Sequence, residues 1–588
     1  AYAELGYFYS KIEAIGTPSG VRDSGVFNPA DPATPVVHRI TLPAGHPDNP
    51  TGVARPLYYL TADFGGRNGS SKSEVLRAIS GVNGAFGDSW TWDLGVGYIE
   101  NRLATVGTGY VRFSKLQEAL NNGTYRLNNP GEVSQSVRDA ISPTLSRDAK
   151  TSVALVDGKV SGNLFDLPGG PLGVALGAEW RQEKTDTPPN PYTDVGDIIG
   201  LGYSAFVAKR DVYATYAEVN APVVRMLELN AALRYDHYSD FGSSTTPKFG
   251  LKFKPIDQLA LRATYAEAFR APGPAESGNS ATFGYTGIGV LTTGNPDIKP
   301  EKAKSYTAGL IVEPFKGSSV SIDYFKIKRR DEIVSADPAL VLEGIPQTGG
   351  VPDSVIDGAL PNSKVYYNEL GNVGTVSAPY QNANKTNTDG FDVDLRQKIR
   401  LGEFGTLTAG LNWTHTLSFE RQVGDDKLEY AGTHGPYVLS SASGTPRDRA
   451  TLELALERAN WSTSILVNYV GPMDMIDHKG EELFDNEDGT VSTTNATWFA
   501  DANGPVCGVY NPDGTPRSGC SLSSFTTLDW FGKVDIDEHL QLTGSVQNLL
   551  NRMAPFDPYT YGGLNYNAAF HQSGAVGRYF TMAVKYKF

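Results

Sequence analysis

The chain has 588 residues, with 64 glycines, 30 tyrosines and 25 phenylalanines against 5 methionines and 2 cysteines, a composition suited to many strands and turns. Its apolar fraction of 40% is low for a packed soluble core, and no window approaches the ~20 consecutive apolar residues of a membrane-spanning helix. A net charge of −14, with no run of Lys and Arg to offset it, argues against a nucleic-acid partner, whose phosphates would be repelled.

A membrane barrel remains open, because only alternate residues of its strands face lipid and overall hydropathy stays modest. The first residues, Ala1-Tyr2-Ala3-Glu4-Leu5-Gly6-Tyr7-Phe8-Tyr9, already read as a strand running to about residue 14. They do not read as a basic start followed by an apolar core, so no signal peptide is expected. Segment 56–64 is read as a hairpin arm inside a long first loop, and 114–121 as a short helix outside the wall.

Alternation then recurs along the chain. Phe249, Leu251 and Phe253 alternate with Lys248, Gly250 and Lys252. The same period appears at Leu259, Leu261, Ala263 and Tyr265, at Val320, Ile322 and Tyr324, and at Phe391, Val393 and Leu395. Further on come Leu407, Ala409, Leu411 and Trp413, then Leu452, Leu454 and Leu456 between Glu453 and Glu457. At the C-terminus Phe580, Met582, Val584, Tyr586 and Phe588 share one face, with Thr581, Ala583, Lys585 and Lys587 on the other. A soluble sandwich would have to cover every one of these greasy faces with a second sheet; a wide barrel with a wet lumen needs them as they stand.

Connections come in two sizes. Short ones at 255–258, 402–404 and 537–539 alternate with long ones near 102–148, 184–208, 270–302, 334–385, 418–446, 470–522 and 550–574. Short periplasmic turns and long extracellular loops produce this alternation. The expected fold class is therefore all-β: a large antiparallel transmembrane β-barrel with about eighteen spanning strands, the first running outward from Ala1.

Three segments resemble the TonB-dependent outer-membrane receptors. The first is Leu261-Arg262-Ala263-Thr264-Tyr265-Ala266-Glu267-Ala268-Phe269-Arg270-Ala271-Pro272 with Gly294-Asn295-Pro296-Asp297-Ile298-Lys299-Pro300-Glu301, similar to the family's FRAP and GNP…PE block. The second is Asn548-Leu549-Leu550-Asn551-Arg552 with Gly577-Arg578-Tyr579-Phe580 and the final Phe588. The third is Gly177-Ala178-Glu179-Trp180-Arg181 with Leu233-Arg234-Tyr235-Asp236 and Tyr238. In the first block Pro272, Pro296 and Pro300 cannot donate ladder hydrogen bonds, so they mark where pairing stops and resumes. Arg270 and Glu301 either pair across the base of that loop or stand as two solvated charges.

The resemblance implies an importer of a scarce nutrient: a ferric siderophore, cobalamin, an oligosaccharide or similar. It implies as partners the outer-membrane lipid, the TonB-ExbB-ExbD system acting through a plug, an extracellular ligand, and a surface or periplasmic lipoprotein. It also implies barrel-assembly machinery that reads Phe588. Residues 1–588 are expected to be one receptor-type barrel domain without its plug, since neither a TonB box nor the plug's Arg-Gly-rich and IDG-like blocks are found. If the family's 22-stranded barrel applies, about four strands are also missing. A plug-free barrel and a plug from another chain are the alternatives, and a passive porin and a surface scaffold or adhesin are the rival functions.

Candidate sites are few. Cys507 and Cys520, with twelve residues between them, suit a disulfide in an oxidising compartment, restraining the loop by roughly 3 kcal/mol; a two-cysteine metal site is the weaker reading. The stretch 474–488 is dense in oxygen ligands for Ca2+, although its spacing matches no established calcium loop and a solvated acidic loop explains it as well. Tyr559, Tyr561, Tyr566, Phe570 and His571 suit substrate contact at the mouth or an interfacial girdle, and His434 and His415 are equally ambiguous. No Gly-x-Ser-x-Gly, His-Glu-x-x-His or phosphate loop is present, so no enzyme and no catalytic residue are expected.

Overall fold

The computed structural model describes residues 1–21, 24–26, 36–285, 288–335, 338–368, 370–423, 426–434, 444–474, 484–485, 491–492, 500–501, 504–510, 516–518, 521–557 and 566–587. Its principal sheet has 24 strands; six are short pieces within the outer loops and eighteen form the wall. In chain order the wall strands are β1 (Tyr2–Ala14), β2 (Gly69–Phe86), β3 (Trp90–Gly107), β4 (Leu145–Leu167), β5 (Gly170–Thr187) and β6 (Ser204–Val224). They continue with β7 (Leu227–Tyr238), β8 (Gly242–Ile256), β9 (Leu259–Arg270), β10 (Glu301–Val312), β11 (Ser318–Val334) and β12 (Gln381–Arg400). The last six are β13 (Thr406–Val423), β14 (Asp448–Arg458), β15 (Trp461–Val470), β16 (Phe525–Asp535), β17 (Leu540–Gln547) and β18 (Tyr579–Tyr586).

Each wall strand pairs antiparallel with the next, from β1 to β18. Among the described residues no register links β18 to β1, and all eight positions of β18 are exposed. Segment 59–60 pairs with 20–21 inside the first loop, as expected of a hairpin arm, and the short helix forms as α1 (Phe113–Asn121).

Opposed residues share a face, so the registers test the alternation directly. Leu407, Leu411 and Trp413 stand opposite Leu456, Leu452 and Ala450, and Phe580, Met582 and Val584 lie opposite Val546, Gly544 and Leu542. Trp413, Leu452, Phe580, Met582 and Val584 stay exposed because their solvent is lipid, while Asp323, Asp392, Glu453 and Asp529 point to the other, wet face. No helix among the described residues is long and apolar enough to cross a membrane; the strands cross it.

Two details differ from the sequence reading. Strands run past the bilayer: β4 has 23 residues where 9–11 suffice, so pairing persists into segments read as loop, and the second outer loop narrows to 108–144. The outer connection 239–241 is also as short as a periplasmic turn. On the opposite rim Gly405 takes φ 105°, and a Cβ there would lie 2.1 Å from the Glu457 carbonyl, so this tight turn against β14 requires glycine.

Among the described residues the apolar cores lie in the outer loops, not in the wall. Val21, Ile40, Val111, Leu116, Leu120, Tyr125 and Ile141 are buried together where the first two loops meet Ile199 of the third. Val341, Val365, Tyr367 and Val376 form a second core in the loop after β11.

Candidate functional site

The mouth is built from four sets of contacts. In the first, Asp197 of the third outer loop ties down the start of α1: its carboxylate accepts from Arg112 Nε at 2.8 Å and from the Ser114 backbone N–H at 2.7 Å. Arg112 also stacks on Tyr192, 4.1 Å from the ring centre. Asp48 is nearly enclosed and accepts from Arg126 Nη2 at 2.7 Å and from the Leu127 N–H at 2.7 Å. The Arg126 hydrogen bond, helped by backbone N–H groups, holds the Asp48 carboxyl at about 2. Burial pushes the Tyr59 and Tyr125 hydroxyls well above the usual phenol value.

The second set is the loop between β9 and β10. Arg270 donates to Glu301 Oε1 at 2.8 Å and to both Glu276 oxygens at 2.9 and 3.0 Å, so the ion pair across the loop base forms. Glu301 is buried because the Ile333 N–H, from the top of β11, donates to the same oxygen at 2.9 Å. Asn295 Nδ2 donates to the Tyr380 carbonyl at 2.8 Å, stapling this loop to the start of β12. Asn382 completes the staple through the Lys299 carbonyl at 2.7 Å. Pro272 and Pro300 are buried at the two ends, whereas Pro296 is exposed. Phe269 lies edge-on to Tyr238, 6.0 Å between ring centres.

Third, the wet face of β5 to β7 carries a charge network below this loop. Arg181 reaches Glu179 at 2.6 Å, Glu183 at 2.7 Å and the Tyr238 hydroxyl at 2.8 Å. Arg210 joins it through Glu183 at 2.6 Å and donates to the Pro272 carbonyl at 2.7 Å. Arg234 joins it through Glu179 at 3.5 Å and is itself held by Asp236 at 2.9 Å. Every guanidinium is multiply paired, so the network is a fixed array of alternating charge rather than a free cationic pocket.

The fourth set is a buried layer under the last loops. Asn548 and Asn551 both take positive φ, 47° and 52°, which asparagine tolerates. Asn548 Nδ2 donates to the Arg552 and Ser573 carbonyls at 2.9 and 3.1 Å, and Asn551 Oδ1 accepts the Arg578 N–H at 3.0 Å. The Asn-Leu-Leu-Asn segment therefore folds the final loop back onto itself. Beneath it His434 Nδ1 lies 3.6 Å from Asp557 Oδ2, and His571 packs edge-on against Phe525 at 5.2 Å. Burial lowers both imidazoles, His571 to about 4.

This layer alters the reading of the histidines. His434 and His571 are fully enclosed and do not line the mouth, because the folded-back loop covers them; Asp557 and Asn567 are their neighbours and carried no sequence signal. Tyr566 is part-exposed and donates to Gln572 at 3.1 Å, Phe570 sits under Arg449 at 5.5 Å, and His415 pairs with Asp448 at 2.8 Å beside Trp413. Tyr559, Tyr561, Cys520 and Phe588 lie outside the described residues, as does most of 474–488, and the side chain of Cys507 is likewise outside them. Among the described residues no group of three His, Cys, Asp or Glu side chains is arranged to hold a metal. Asp48, Asp197, Glu276 and Asn382 were missed by sequence reasoning, since a loop carboxylate or amide is anchoring only once its partners are known.

A family profile described as TonB dependent receptor-like, beta-barrel matches residues 20–549. The chain belongs to that family. It is therefore a β-barrel of the outer membrane, and the family's members are receptors and transporters. Among curated relatives it is 25% identical over 274 residues to a probable TonB-dependent siderophore receptor, PirA, of Acinetobacter baumannii, covering 43% of this chain and 33% of that protein. It is also 25% identical over 390 residues to the ferric enterobactin receptor of Pseudomonas aeruginosa, covering 60% and 47%. The chain thus spans a third to a half of the length of these relatives. Among solved structures the ferric-catecholate import receptor Fiu of Escherichia coli K12 superposes with a TM-score of 0.50 at 13% identity, covering 100% of this chain and 72% of that one. That likeness is one of fold.

Proposed function

We propose that this chain is the wall and mouth of a TonB-dependent importer of a scarce nutrient, with a ferric siderophore as the leading substrate class. The observation that carries the reading is the family match along nearly the whole wall, on strands with one lipid face and one wet, charged face. The siderophore class rests on what the named relatives bind. In this reading the wet wall provides the path, the outer loops capture the ligand, and Arg270, Asn295 and Glu301 with Pro272 and Pro300 brace the loop after β9. Energy from TonB-ExbB-ExbD would enter through a family plug, to which no residue of this chain is assigned. Tyr566 remains a candidate for ligand contact and Phe588 for recognition by the assembly machinery; Cys507 and Cys520 remain a candidate disulfide. No catalysis is proposed.

The test is iron-chelate uptake in a strain deleted for the gene, with and without TonB. Uptake of at least one ferric siderophore that requires both genes is expected. Uptake unchanged in the deletion, together with a large steady planar-bilayer current from the native protein, would replace the importer by a passive porin.

A further inference from the structure

The outward face of β9 to β12 carries a second feature, independent of import. Tyr265 and Tyr306 stand opposite each other with ring centres 5.2 Å apart, and Tyr324 and Phe391 do the same at 5.4 Å. This is an aromatic band on the lipid side, the level at which such rings meet the headgroups. Directly above it the outward row turns cationic. Lys326 faces Tyr306, Lys328 faces Lys304, and Arg330 faces Lys302, while Lys385 lies two residues above Asn387, the partner of Lys328.

Like charges directly opposed weaken a strand pair, and here two such pairs follow one another. Composition does not explain it, since the whole chain carries 65 acids against 51 Lys and Arg. The nearby acids offset it only in part, although one of them, Asp389, stands directly opposite Lys326. Glu267 reaches Lys304 at 3.2 Å, Asp331 lies 3.8 Å from Arg330, and Asp389 accepts from the Tyr324 hydroxyl at 2.8 Å. Among the described residues, no carboxylate stands within ion-pair reach of Lys302, Lys326, Lys328 or Lys385. Strands rise about 7 Å per two residues, so the patch occupies the headgroup layer just above the band.

We propose that this patch binds the phosphate groups of an outer-leaflet lipid. A row of anionic headgroups relieves the cross-strand repulsion, and lysine stems reach it while their methylenes lie on the apolar wall. The patch thereby fixes the barrel's depth and gathers a lipid annulus on one side of the wall. This rests on the outer-membrane placement alone and stands whether or not the protein imports siderophores.

The experiment titrates the full native protein, purified in a neutral detergent, with bis-phosphorylated lipid A, with its dephosphorylated form, and with inorganic phosphate as competitor, counting bound lipid by native mass spectrometry. The phosphorylated lipid is expected to be retained, the dephosphorylated one not, and millimolar phosphate should fail to displace it. Changing Lys302→Gln, Lys304→Gln and Lys328→Gln together should weaken retention roughly 100-fold, three cations at about 1 kcal/mol each. The same three changed to Arg should retain the lipid, and Lys248→Gln with Lys252→Gln on the wet face should have no effect. Equal binding of both lipids overturns the proposal, and so does unchanged binding by the folded Gln variant. Displacement by inorganic phosphate makes the patch a free-anion site and overturns the lipid assignment. If the Gln variant does not fold, the two-lipid comparison on the unaltered protein still decides.

Discussion

In the wall Leu454 keeps 44% of its surface exposed and Met582 76%, whereas Leu116 and Leu120 in the second outer loop are wholly enclosed. The same residue type is thus satisfied by lipid in one region and by other side chains in the other. In the wall, backbone pairing with the neighbouring strand does the holding, and side chains need only sort to the correct face. At the mouth there is no lipid and little continuous pairing, so the loops depend on small apolar cores, buried carboxylates and a few asparagines. Interference with either region should therefore fail in a different way.

The largest effect is expected from a charge on the lipid face. Leu454→Arg should destabilise the folded barrel by about 2–4 kcal/mol in urea titrations from lipid vesicles. Glu453→Gln, one residue away on the wet face, should change it by less than ~0.5 kcal/mol. Equal effects would mean that the two faces are not distinguished by solvent.

Acid should act on the mouth and spare the wall. Burial, reinforced by His434, holds the His571 imidazole at about 4, below the ~6.5 of an exposed histidine. Between those values the opened loop binds a proton that the closed loop refuses. The closed layer is therefore at full stability above pH ~6.5 and loses up to about 3 kcal/mol as pH falls toward 4. Hydrogen-exchange protection factors of residues 566–577, after correction for the slower intrinsic exchange in acid, should fall from pH 7 to pH 5, and His571→Leu should flatten the response. The first loop has the opposite kind of group: the Asp48 carboxyl is depressed to about 2, so its contribution is present above ~4 and lost only between pH 4 and 2. The last loop should open in acid before the first does; the reverse order would show that these two groups do not control the packing.

Asn548→Ala should loosen the last loop by about 2 kcal/mol, since it removes the bonds to Arg552 and Ser573 and leaves alanine at positive φ. Limited proteolysis after Arg552 reads this directly. A smaller effect at the mouth is expected from Glu301→Gln, about 1 kcal/mol, because Arg270 keeps Glu276 and is itself half exposed. Faster cleavage confined to 271–300, with the wall unchanged, would sharpen the contrast between the regions.

The period of two was enough to read the wall from the residues alone, since facing lipid or water is a local property of each strand position. The Phe580, Met582, Val584, Tyr586 face, the outward start at Tyr2 and the hairpin arm at 59–60 were all legible on that basis. The length of each strand was not, because β4 stops where its partners stop and not where the apolar pattern does. The histidines failed for a related reason: a histidine in a loop reads the same whether it faces the ligand path or is roofed over by another loop.

By itself the sequence determined the class of fold, the direction of each strand and the face each side chain takes, because alternation is written residue by residue. Only the tertiary structure decided which loop residues are anchors. Asp197 meets Arg112 across 85 positions, His434 meets Asn567 across 133, and Asn295 meets Tyr380 across 85. The cationic row at Lys302, Lys304, Lys328 and Arg330 likewise exists only once β10 and β11 are in register. Such encounters depend on where the eighteen strands deliver their ends, and no local pattern encodes that distance.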